Sequence, residues 1–255
     1  MTTLMIDSGP IDADAPVTRV GGVPLAPEGT AWPCCSSCDG PMQFLAQIVL
    51  ADLDSDDGGS GSGPSAQRGV LALFACQNDP GACEDWDASS GGNRALVFPL
   101  DGLQPIPLPR PDGKDAEDAD DAEEDGYGHG NAFDQDEYDH EDDDEDDDEG
   151  VLLLGATRAV GLDQEGDPDY GRARAAWAAR TGNATSAVLG QLGGRPDWLQ
   201  FDETPSCSSC ARPMSFVAQL QEGPDPITAM NFGGGGRAYA FVCEPCAGAA
   251  FLWQC

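Results

Sequence analysis

The chain alternates short, dense apolar runs with polar segments that are rich in glycine and proline. Three of the runs in the first half read MQFLAQIVL, GVLALFAC and RALVFPL, at Met42–Leu50, Gly69–Cys76 and Arg94–Leu100. Each has the length and apolar density of a buried strand. In the second half, VLLLG starts near Val151 and AYAFVC ends at Cys243. The pattern therefore predicts a mainly β protein.

One stretch favours a helix instead. The alanine-rich sequence GRARAAWAART, at Gly171–Thr181, is followed by Gly182, which is typical of a helix that ends at a left-handed glycine. The 255 residues include 33 glycines and 20 prolines, a composition that disfavours a helical bundle and favours short strands joined by tight turns. The predicted fold is thus mainly β with few helices.

A cysteine-bearing phrase occurs twice in the chain. Without gaps, Val20–Ile48 and Leu192–Leu220 share 13 of 29 residues at a constant offset of 172. Both contain Gly-Gly-x-Pro, Cys-Ser-Ser-Cys, Pro-Met and Ala-Gln, and each is followed by a variable loop and an apolar strand that ends in cysteine. We interpret the chain as an internal duplication, in which two β units meet along a pseudo-twofold axis that buries strand edges.

Four segments follow from this interpretation. Residues 1–17 are predicted to be a disordered leader, 18–110 the first β repeat, 111–150 an acidic disordered insert and 151–255 the second β repeat. Within the first repeat, Asp52–Gln67 is rich in glycine and serine and is predicted to be a flexible loop. The insert thus lies between the two copies and not inside either one.

The negative charge is concentrated in the acidic insert. Of the net charge of −34, residues 111–150 contribute −21, with 22 Asp or Glu and one Lys. Such a run repels itself and cannot bury apolar area, so it is interpreted as a solvated spacer or as a docking tail for a basic partner protein. Only 12 Lys and Arg are present, and they are scattered, which argues against nucleic-acid binding.

Nothing in the sequence indicates membrane targeting. The N-terminal MTTLMIDSGPIDADAP lacks the basic and apolar regions of a signal peptide, and no apolar run approaches the length of about 18 residues that a membrane span needs. We therefore expect a cytoplasmic protein that does not bind membranes. Its ten cysteines are then expected to be reduced thiols or metal ligands and not disulfides.

The cysteine spacing predicts metal binding. The second copy has two Cys-x2-Cys knuckles, and the first copy has one such knuckle and a stretched pair with six residues between its cysteines. Two knuckles can supply the four thiolates that Zn²⁺ takes in closed, structural sites. The predicted ligands are Cys35, Cys38, Cys76 and Cys83 in the first copy and Cys207, Cys210, Cys243 and Cys246 in the second.

Other interpretations of the cysteines stay open at this point. All eight could pack as buried free thiols, and Cys255 is an alternative to Cys246 as a ligand. Cys34 aligns with Ser206, so it falls outside the repeated set. A redox role is disfavoured because each CSSC is followed by Pro-Met and a strand-like run, and not by the helix that would lower the pKa of a thiol.

Catalytic residues are not expected. The two histidines, His129 and His140, both lie in the acidic insert, so no Ser-His-Asp set can form in a folded core. The sequence NFGGGGRAY, at Asn231–Tyr239, lacks the Lys-Ser/Thr of a phosphate loop and is interpreted as a turn into a strand. The sequence thus predicts a protein that is not an enzyme.

Several of these phrases together resemble the YwqG-like family, a mostly bacterial family of unknown function that is related to the programmed cell death protein 2 superfamily. The phrases are GGRPDWLQFDETPSCSSCARPMSFVAQL, NFGGGGRAYAFVC and FLWQC in the second copy, and WPCCSSCDGPMQFLAQI and CQNDPGACEDWDASSGGN in the first. The resemblance implies a duplicated all-β unit with a protein-binding or chaperone-like role, since the eukaryotic relatives escort a small-subunit ribosomal protein. The long acidic insert departs from the family pattern.

The function expected from the sequence is that of a non-enzymatic protein-binding module, chaperone-like for a basic client, with structural zinc. The client segment would lie against an exposed sheet edge or in the groove between the copies. The alternatives are an immunity-type protein that neutralises a toxin, and a thiol-redox or metal-dependent enzyme. The sequence leaves the identity of the client and the oligomeric state open.

Overall fold

The computed structural model describes residues 1–56, 69–79, 82–109, 154–223 and 230–255. The predicted acidic insert at 111–150 lies outside the described residues, as do most of the predicted loop Asp52–Gln67 and the first residues of VLLLG. The described start of that loop is regular, because Leu50–Asp56 forms a 3₁₀ helix.

The described residues form twelve strands and one α-helix. The strands of the first half are β1 (Thr2–Pro10), β2 (Arg19–Val20), β3 (Leu25–Pro27), β4 (Gln43–Val49), β5 (Gly69–Ala75), β6 (Asn93–Pro99) and β7 (Leu103–Pro105). The second half contains β8 (Arg158–Glu165), α1 (Tyr170–Thr181), β9 (Val188–Leu192), β10 (Ser215–Gln221), β11 (Arg237–Cys243) and β12 (Gly248–Gln254). The predicted mainly β fold is confirmed, and β4, β5, β6 and β11 coincide with predicted strands.

Ten of the strands form one antiparallel sheet. Its order is β12-β11-β10-β9-β1-β8-β2-β4-β5-β6, and β3 pairs with β7 in a small separate sheet. The end strands β6 and β12 lie close to one another, so the large sheet is nearly closed. The two predicted repeats therefore contribute to one sheet and to one compact unit.

The prediction of a disordered leader at residues 1–17 is wrong. These residues contain β1, which lies at the centre of the sheet between β8 and β9. Leu4 and Met5 in this strand are fully buried. The apolar part of β1 is short and is followed directly by the polar, proline-containing sequence DSGPIDADAP, so the strand signal in the sequence is weak.

Equivalent contacts occur in the two halves at the sequence offset of the repeat. The Gly21 N–H donates to Leu45 O at 2.8 Å, and the Gly193 N–H donates to Val217 O at 2.7 Å. Strands β4 and β10 carry a register shift at matching positions. In the sheet, β1 of the first half lies beside β9 of the second, and β8 of the second lies beside β2 of the first. The duplication and the pseudo-twofold axis stay predictions, which these matching contacts support.

Apolar side chains pack on both faces of the sheet. The strands share an inner core that both halves supply, with Met5, Leu71 and Val217 among its members. Strand β5 alternates between this core and an outer cluster that contains Phe74, and β11 alternates likewise, with Phe241 in a second outer cluster. Because both faces of these two strands are buried, their sequences are continuous apolar runs.

The predicted helix is confirmed as α1. The Asp169 carboxylate accepts a hydrogen bond from the Arg172 N–H at its start, and Gly182 ends it with a φ of 75°. Its buried residues, which include Trp177, pack against Leu4 of β1. Across the described residues, no helix is both long and apolar enough to cross a membrane.

Replacement of Met5 by alanine tests whether β1 belongs to the core. Met5 is fully buried, so Met5→Ala should lower the free energy of unfolding by about 2–5 kcal/mol. Val17→Ala is the matched control, because Val17 lies in the same predicted leader but is 40% exposed. It should change the free energy of unfolding by less than about 0.5 kcal/mol. Denaturant unfolding followed by tryptophan fluorescence measures both, and small effects in both variants would contradict the placement of β1.

Candidate metal centres

The structure gathers the eight predicted ligand cysteines into two separate clusters. One cluster contains Cys35, Cys38, Cys76 and Cys83, and the other contains Cys207, Cys210, Cys243 and Cys246. Within each cluster, the four Sγ atoms all lie within 4.8 Å of one another, so each cluster could hold a metal ion. The other two cysteines of the chain, Cys34 and Cys255, are exposed and lie outside both clusters.

The first knuckle is a tight turn at the entrance to β4. The Cys35 N–H donates to Gly40 O at 2.9 Å, and the Asp39 N–H donates back to Cys35 O at 3.0 Å. Asp39 has a φ of 58°, a left-handed conformation that aspartate tolerates better than most residues. Because β4 and β5 are antiparallel, this turn lies beside the C-terminal end of β5, which Cys76 follows directly.

Cys83 comes from the loop between β5 and β6. Glu84 directly after it has a φ of 47°, which turns the chain. The loop is closed where the Cys76 N–H donates to Gly92 O at 2.8 Å. A Cβ atom at Gly92 would lie 2.2 Å from Cys83 O, so only glycine allows this close approach. The stretched six-residue spacing of the first copy is therefore compatible with a four-cysteine cluster.

The second knuckle repeats the construction of the first. The Cys207 N–H donates to Arg212 O and the Ala211 N–H donates to Cys207 O, both at 2.8 Å. Ala211 has a φ of 56° and stands where the first knuckle has Asp39. The turn leads into β10, which pairs with β11, so it lies beside the end of β11.

Cys246 occupies the same place in the second cluster as Cys83 does in the first. Each is followed by a residue in the left-handed conformation, Ala247 with a φ of 51° and Glu84 with a φ of 47°. Cys255, the alternative ligand, lies beyond the end of β12. The structure therefore brings Cys246, and not Cys255, to the other three thiols.

The sulfur–sulfur distances fit a four-coordinate metal ion. Cys38 Sγ and Cys76 Sγ are 3.7 Å apart, and Cys210 Sγ and Cys243 Sγ are 3.6 Å apart. Four thiolates at the Zn–S distance of about 2.3 Å occupy the corners of a tetrahedron whose edges are about 3.8 Å long. A disulfide holds its sulfurs at about 2.05 Å, and all ten cysteines are free. The donor set and its spacing thus suit a tetrahedral, thiophilic ion.

An amide side chain orients two thiols of the first cluster. Asn78 Nδ2 lies 3.2 Å from Cys76 Sγ and 3.5 Å from Cys38 Sγ, and it also donates to Pro41 O at 3.1 Å. Hydrogen bonds from such neighbours fix the direction of ligand side chains and stabilise their charged form. Asn78 is therefore a positioning residue that the cysteine spacing alone did not reveal.

Hydrogen bonds and burial give the thiols of the first cluster different pKa values. Burial raises the pKa of Cys35, but hydrogen bonds from the Ser37 and Cys38 N–H groups outweigh it and lower the pKa to about 7. Burial raises the pKa of the Cys76 thiol, and it raises the pKa of the Cys83 thiol strongly. One thiolate is thus favoured near neutral pH, while the deeper thiols keep their protons until a metal ion displaces them.

The second cluster shows the same division. The hydrogen bond from Arg212 lowers the pKa of Cys210 to about 6, with help from the Arg212 N–H. The hydrogen bond to Cys210 raises the pKa of Cys246 to about 12. The guanidinium of Arg212 would also offset part of the negative charge of a metal ion bound by four thiolates. The metal-free cluster therefore holds both an ionised thiol and protonated ones.

A cleft of about 560 Å³ opens beside the second cluster. Trp86–Ser89 line it from the first half, and Ser206–Ser208 and β12 line it from the second. Cys207 belongs both to the second cluster and to the lining, while Trp86 follows Cys83 of the first cluster closely in the chain. The cleft is thus lined by segments of both halves, one that contains Cys207 and one that begins three residues after Cys83, and the sequence did not indicate it because these segments are far apart in the chain.

Comparison with known proteins shows the family of the chain. Residues 18–171 match a family that is described as Domain of unknown function (DUF1963). The match covers more than half of the chain, so the chain belongs to this family. The matched segment contains the first cysteine cluster and ends before the second.

One curated relative has a shorter similarity. The uncharacterized protein YpfL of Salmonella typhimurium is 38% identical over 67 residues, which are 26% of this chain and 15% of that protein. The chain thus matches a small part of the length of this relative, whose name assigns it no activity.

Elemental analysis of protein purified without added metal tests the two clusters. We expect two metal ions per chain, because each cluster supplies a complete set of four thiols. Cys35→Ser and Cys207→Ser should each remove one ion. Cys34→Ser and Cys255→Ser are the matched controls and should keep both ions, since these thiols are exposed and lie outside the clusters. A metal-free native protein, or equal loss from a control variant, would contradict the assignment.

Metal affinity should fall as the pH is lowered. A thiol with a raised pKa, such as Cys246 at about 12, must release its proton when the metal binds. The pKa of Cys35 is about 7 and that of Cys210 is about 6. Below its pKa, each of these thiols is also protonated in the metal-free protein, so metal binding must release one more proton from its cluster. The affinity of the first cluster should therefore begin to fall more steeply at a higher pH than that of the second.

Competition with a chromophoric chelator measures this pH dependence. Cys207→Ser leaves the first cluster complete, and Cys35→Ser leaves the second complete. The plot of affinity against pH should steepen near pH 7 in the first variant and near pH 6 in the second. The same inflection in both variants would contradict the separate roles of Cys35 and Cys210.

Proposed function

We propose that this protein is a non-enzymatic, cytoplasmic protein-binding module, chaperone-like toward a basic client and stabilised by two structural zinc ions. The observation that carries the proposal is the cleft of about 560 Å³ between the halves, which both halves line and which includes Cys207 of the second cluster. A closed metal site rigidifies the loops that it joins. The surface between the loops, and not the metal, would then meet the partner.

Zinc is the metal that the donor set favours. Four thiolates are soft ligands, and a tetrahedral arrangement of sulfur atoms is typical of zinc or of iron–sulfur sites. The sulfur–sulfur distances of 3.7 Å and 3.6 Å match a tetrahedron around a single ion. An ion with four thiolate ligands has no open position for a substrate water, so its role would be structural.

The seam between the end strands suits a protein partner. Strands β6 and β12 end the sheet and lie close to one another, so a partner would contact the surface beside this seam, which includes the cleft. Trp86, Leu199 and Phe201 are exposed large apolar side chains, and Trp86 lines the cleft. Exposed apolar side chains beside a cleft are typical of protein-binding surfaces.

The family leaves the function open, so the escorting role enters the proposal only by analogy. The chain belongs to a family of unknown function, and the resemblance of its cysteine phrases to YwqG-like proteins and to the programmed cell death protein 2 superfamily adds an escorting role by analogy. The insert at residues 111–150, with a net charge of −21, would speed the encounter with a basic client. Ten free cysteines suit the reducing cytoplasm.

A thiol-redox enzyme is the second candidate. The lowered pKa values of Cys35 and Cys210 are the observation in its favour, because a reactive thiol must ionise near neutral pH. Alkylation by iodoacetamide separates the two candidates: metal-bound thiolates stay protected until a chelator is added, whereas a redox pair reacts at once. His129 and His140 lie outside the described residues and enter neither candidate.

Suppression of aggregation of a purified basic ribosomal protein tests the proposed function. At equimolar concentration, the full chain should keep that protein soluble in a light-scattering assay, because the cleft and the acidic insert act together. A synthetic peptide of residues 111–150 is the matched control, since it carries the charge of −21 but no cleft. If the peptide protects as well as the full chain, the effect is that of a polyanion and the proposal fails.

A variant that lacks residues 111–150 distinguishes long-range electrostatic attraction of the client from binding through short-range contacts. Its association with the same ribosomal protein should be slower than that of the full chain, and the difference should be larger at low salt because salt screens long-range charge. Dissociation should be unchanged, because short-range contacts determine it. Stopped-flow fluorescence measures both rates, and an unchanged association rate would contradict the role of the insert.

A further inference from the structure

We propose that the cleft between the halves holds an arginine side chain of the partner protein, between the ring of Trp86 and the carboxylates of Asp87 and Glu203. The proposal rests on the proposed function and names the chemistry that the cleft recognises. Its basis is the placement of these three side chains in one cleft lined by both halves, together with their chemistry.

The cleft has an acidic lining. Asp87 and Glu203 both line it, and none of its described lining residues is Lys, Arg or His. The two carboxylates come from different halves of the chain, because Asp87 belongs to the loop before β6 and Glu203 to the segment between β9 and β10. A cation that enters the cleft would therefore meet two negative charges, and an anion would be repelled.

Hydrogen bonds hold each carboxylate in place. Asp87 Oδ1 accepts from the N–H and hydroxyl of Ser89, both at 2.6 Å, and from the Ser90 N–H at 3.0 Å. The same Ser89 bonds lower the pKa of Asp87, which keeps it ionised. Glu203 Oε2 accepts from Gln254 Nε2 at 2.7 Å. These bonds order both side chains before a ligand arrives.

Trp86 supplies an aromatic face that is fixed by its neighbours. Its carbonyl oxygen accepts from the Trp253 N–H at 3.1 Å, and the two indole rings meet edge to face with centroids 6.3 Å apart. Trp253 Nε1 also donates to Asp85 Oδ2 at 3.1 Å, which ties the neighbouring residue to β12. Trp86 nevertheless stays 39% exposed, so part of its ring is free for contact within the cleft.

Arginine fits this combination better than lysine does. A guanidinium is planar, stacks on an aromatic face and can donate to two carboxylates in its plane, whereas an ammonium is a compact, strongly hydrated charge. Met214, Pro205 and Leu252 give the cleft apolar lining for the aliphatic stem of the side chain. The volume of about 560 Å³ exceeds that of one side chain, so the residues next to the arginine also have room.

The exposed surface around the cleft indicates a protein segment as the source of the guanidinium. Leu199 and Phe201, which are 39% and 63% exposed, precede Glu203 in the chain. Gln254 joins this segment to β12, since Gln254 Nε2 donates to Phe201 O as well as to Glu203. An apolar edge beside a charged cleft suits a polypeptide whose arginine is followed or preceded by apolar residues.

Binding of labelled peptide mixtures to the full, metal-loaded chain tests this assignment. Three fluorescein-labelled heptapeptide mixtures would carry arginine, lysine or citrulline at the central position and the same random residues around it. Citrulline has the shape of arginine without its charge. Fluorescence anisotropy should show that the arginine mixture binds about tenfold more tightly than the citrulline mixture and more tightly than the lysine mixture.

Variants locate the binding in the cleft. Trp86→Leu and Glu203→Gln should each weaken the arginine mixture at least about fivefold and reduce its advantage over citrulline. Asp101→Asn is the matched control: it removes one negative charge, like Glu203→Gln, but Asp101 is an exposed turn residue outside the cleft lining. It should leave binding unchanged. Glu203→Gln keeps an oxygen for Gln254, so this variant stays interpretable if Trp86→Leu disturbs the fold.

Each other outcome overturns the assignment. Equal binding of arginine and citrulline, or equal loss in Asp101→Asn and Glu203→Gln, would mean that general charge attraction and not the cleft selects the partner, while the protein-binding proposal would stand. Binding of free arginine as tight as that of the arginine mixture would indicate a small guanidinium compound as the ligand. If no mixture binds, the cleft assignment fails, and the aggregation assay decides the proposed function by itself.

Discussion

The pairing of β1 with β8 at the centre of the sheet is the constraint on which the rest of the structure depends. The pair runs from Thr2↔Glu165 to Pro10↔Arg158 and joins strands from the two halves, with the Arg158 guanidinium bound to Asp7 at 2.6 Å across it. On its outer sides, β1 pairs with β9 and β8 pairs with β2, so each half completes the sheet of the other. Four strands extend on either side of the central pair, and the cleft forms where the two ends of the sheet approach.

The cysteine clusters combine two roles that the sequence presents as alternatives. Cys76 and Cys83 pack with Phe74 in one outer apolar cluster, and Cys207 and Cys243 pack with Phe241 in the other. These cysteines are therefore core residues as well as potential ligands. Each outer cluster is small compared with the inner core, so the apolar area that it buries is limited, and the free energy of metal binding would stabilise the loops around it. Buried thiols and metal ligands are thus compatible descriptions of the same side chains.

Much of the fold could be predicted from the sequence, because strands buried on both faces leave continuous apolar runs. This signal located β5 and β11, and the repeated spacing located the two groups of four cysteines that the structure brings together. Strand β1 was not predicted, because its apolar stretch is short and polar residues follow it. The cleft was not predicted for another reason: Trp86 and Glu203 line one cleft only because the sheet is nearly closed, a long-range property that no local pattern records. The role of Asn78 depends on side-chain geometry and has no sequence signature.

The exchange of strands between the halves also governs the order in which the chain can fold during its synthesis. When the first half leaves the ribosome, β1 has neither of its partners, since β8 and β9 are encoded after residues 111–150. The edges of β1 and β2 that pair with β8 and β9 therefore stay unpaired until Arg158–Leu192 has left the ribosome. Unpaired strand edges are the part of a nascent chain that pairs most readily with other chains. The strongly acidic stretch that is translated during this interval would keep neighbouring nascent chains apart by charge repulsion.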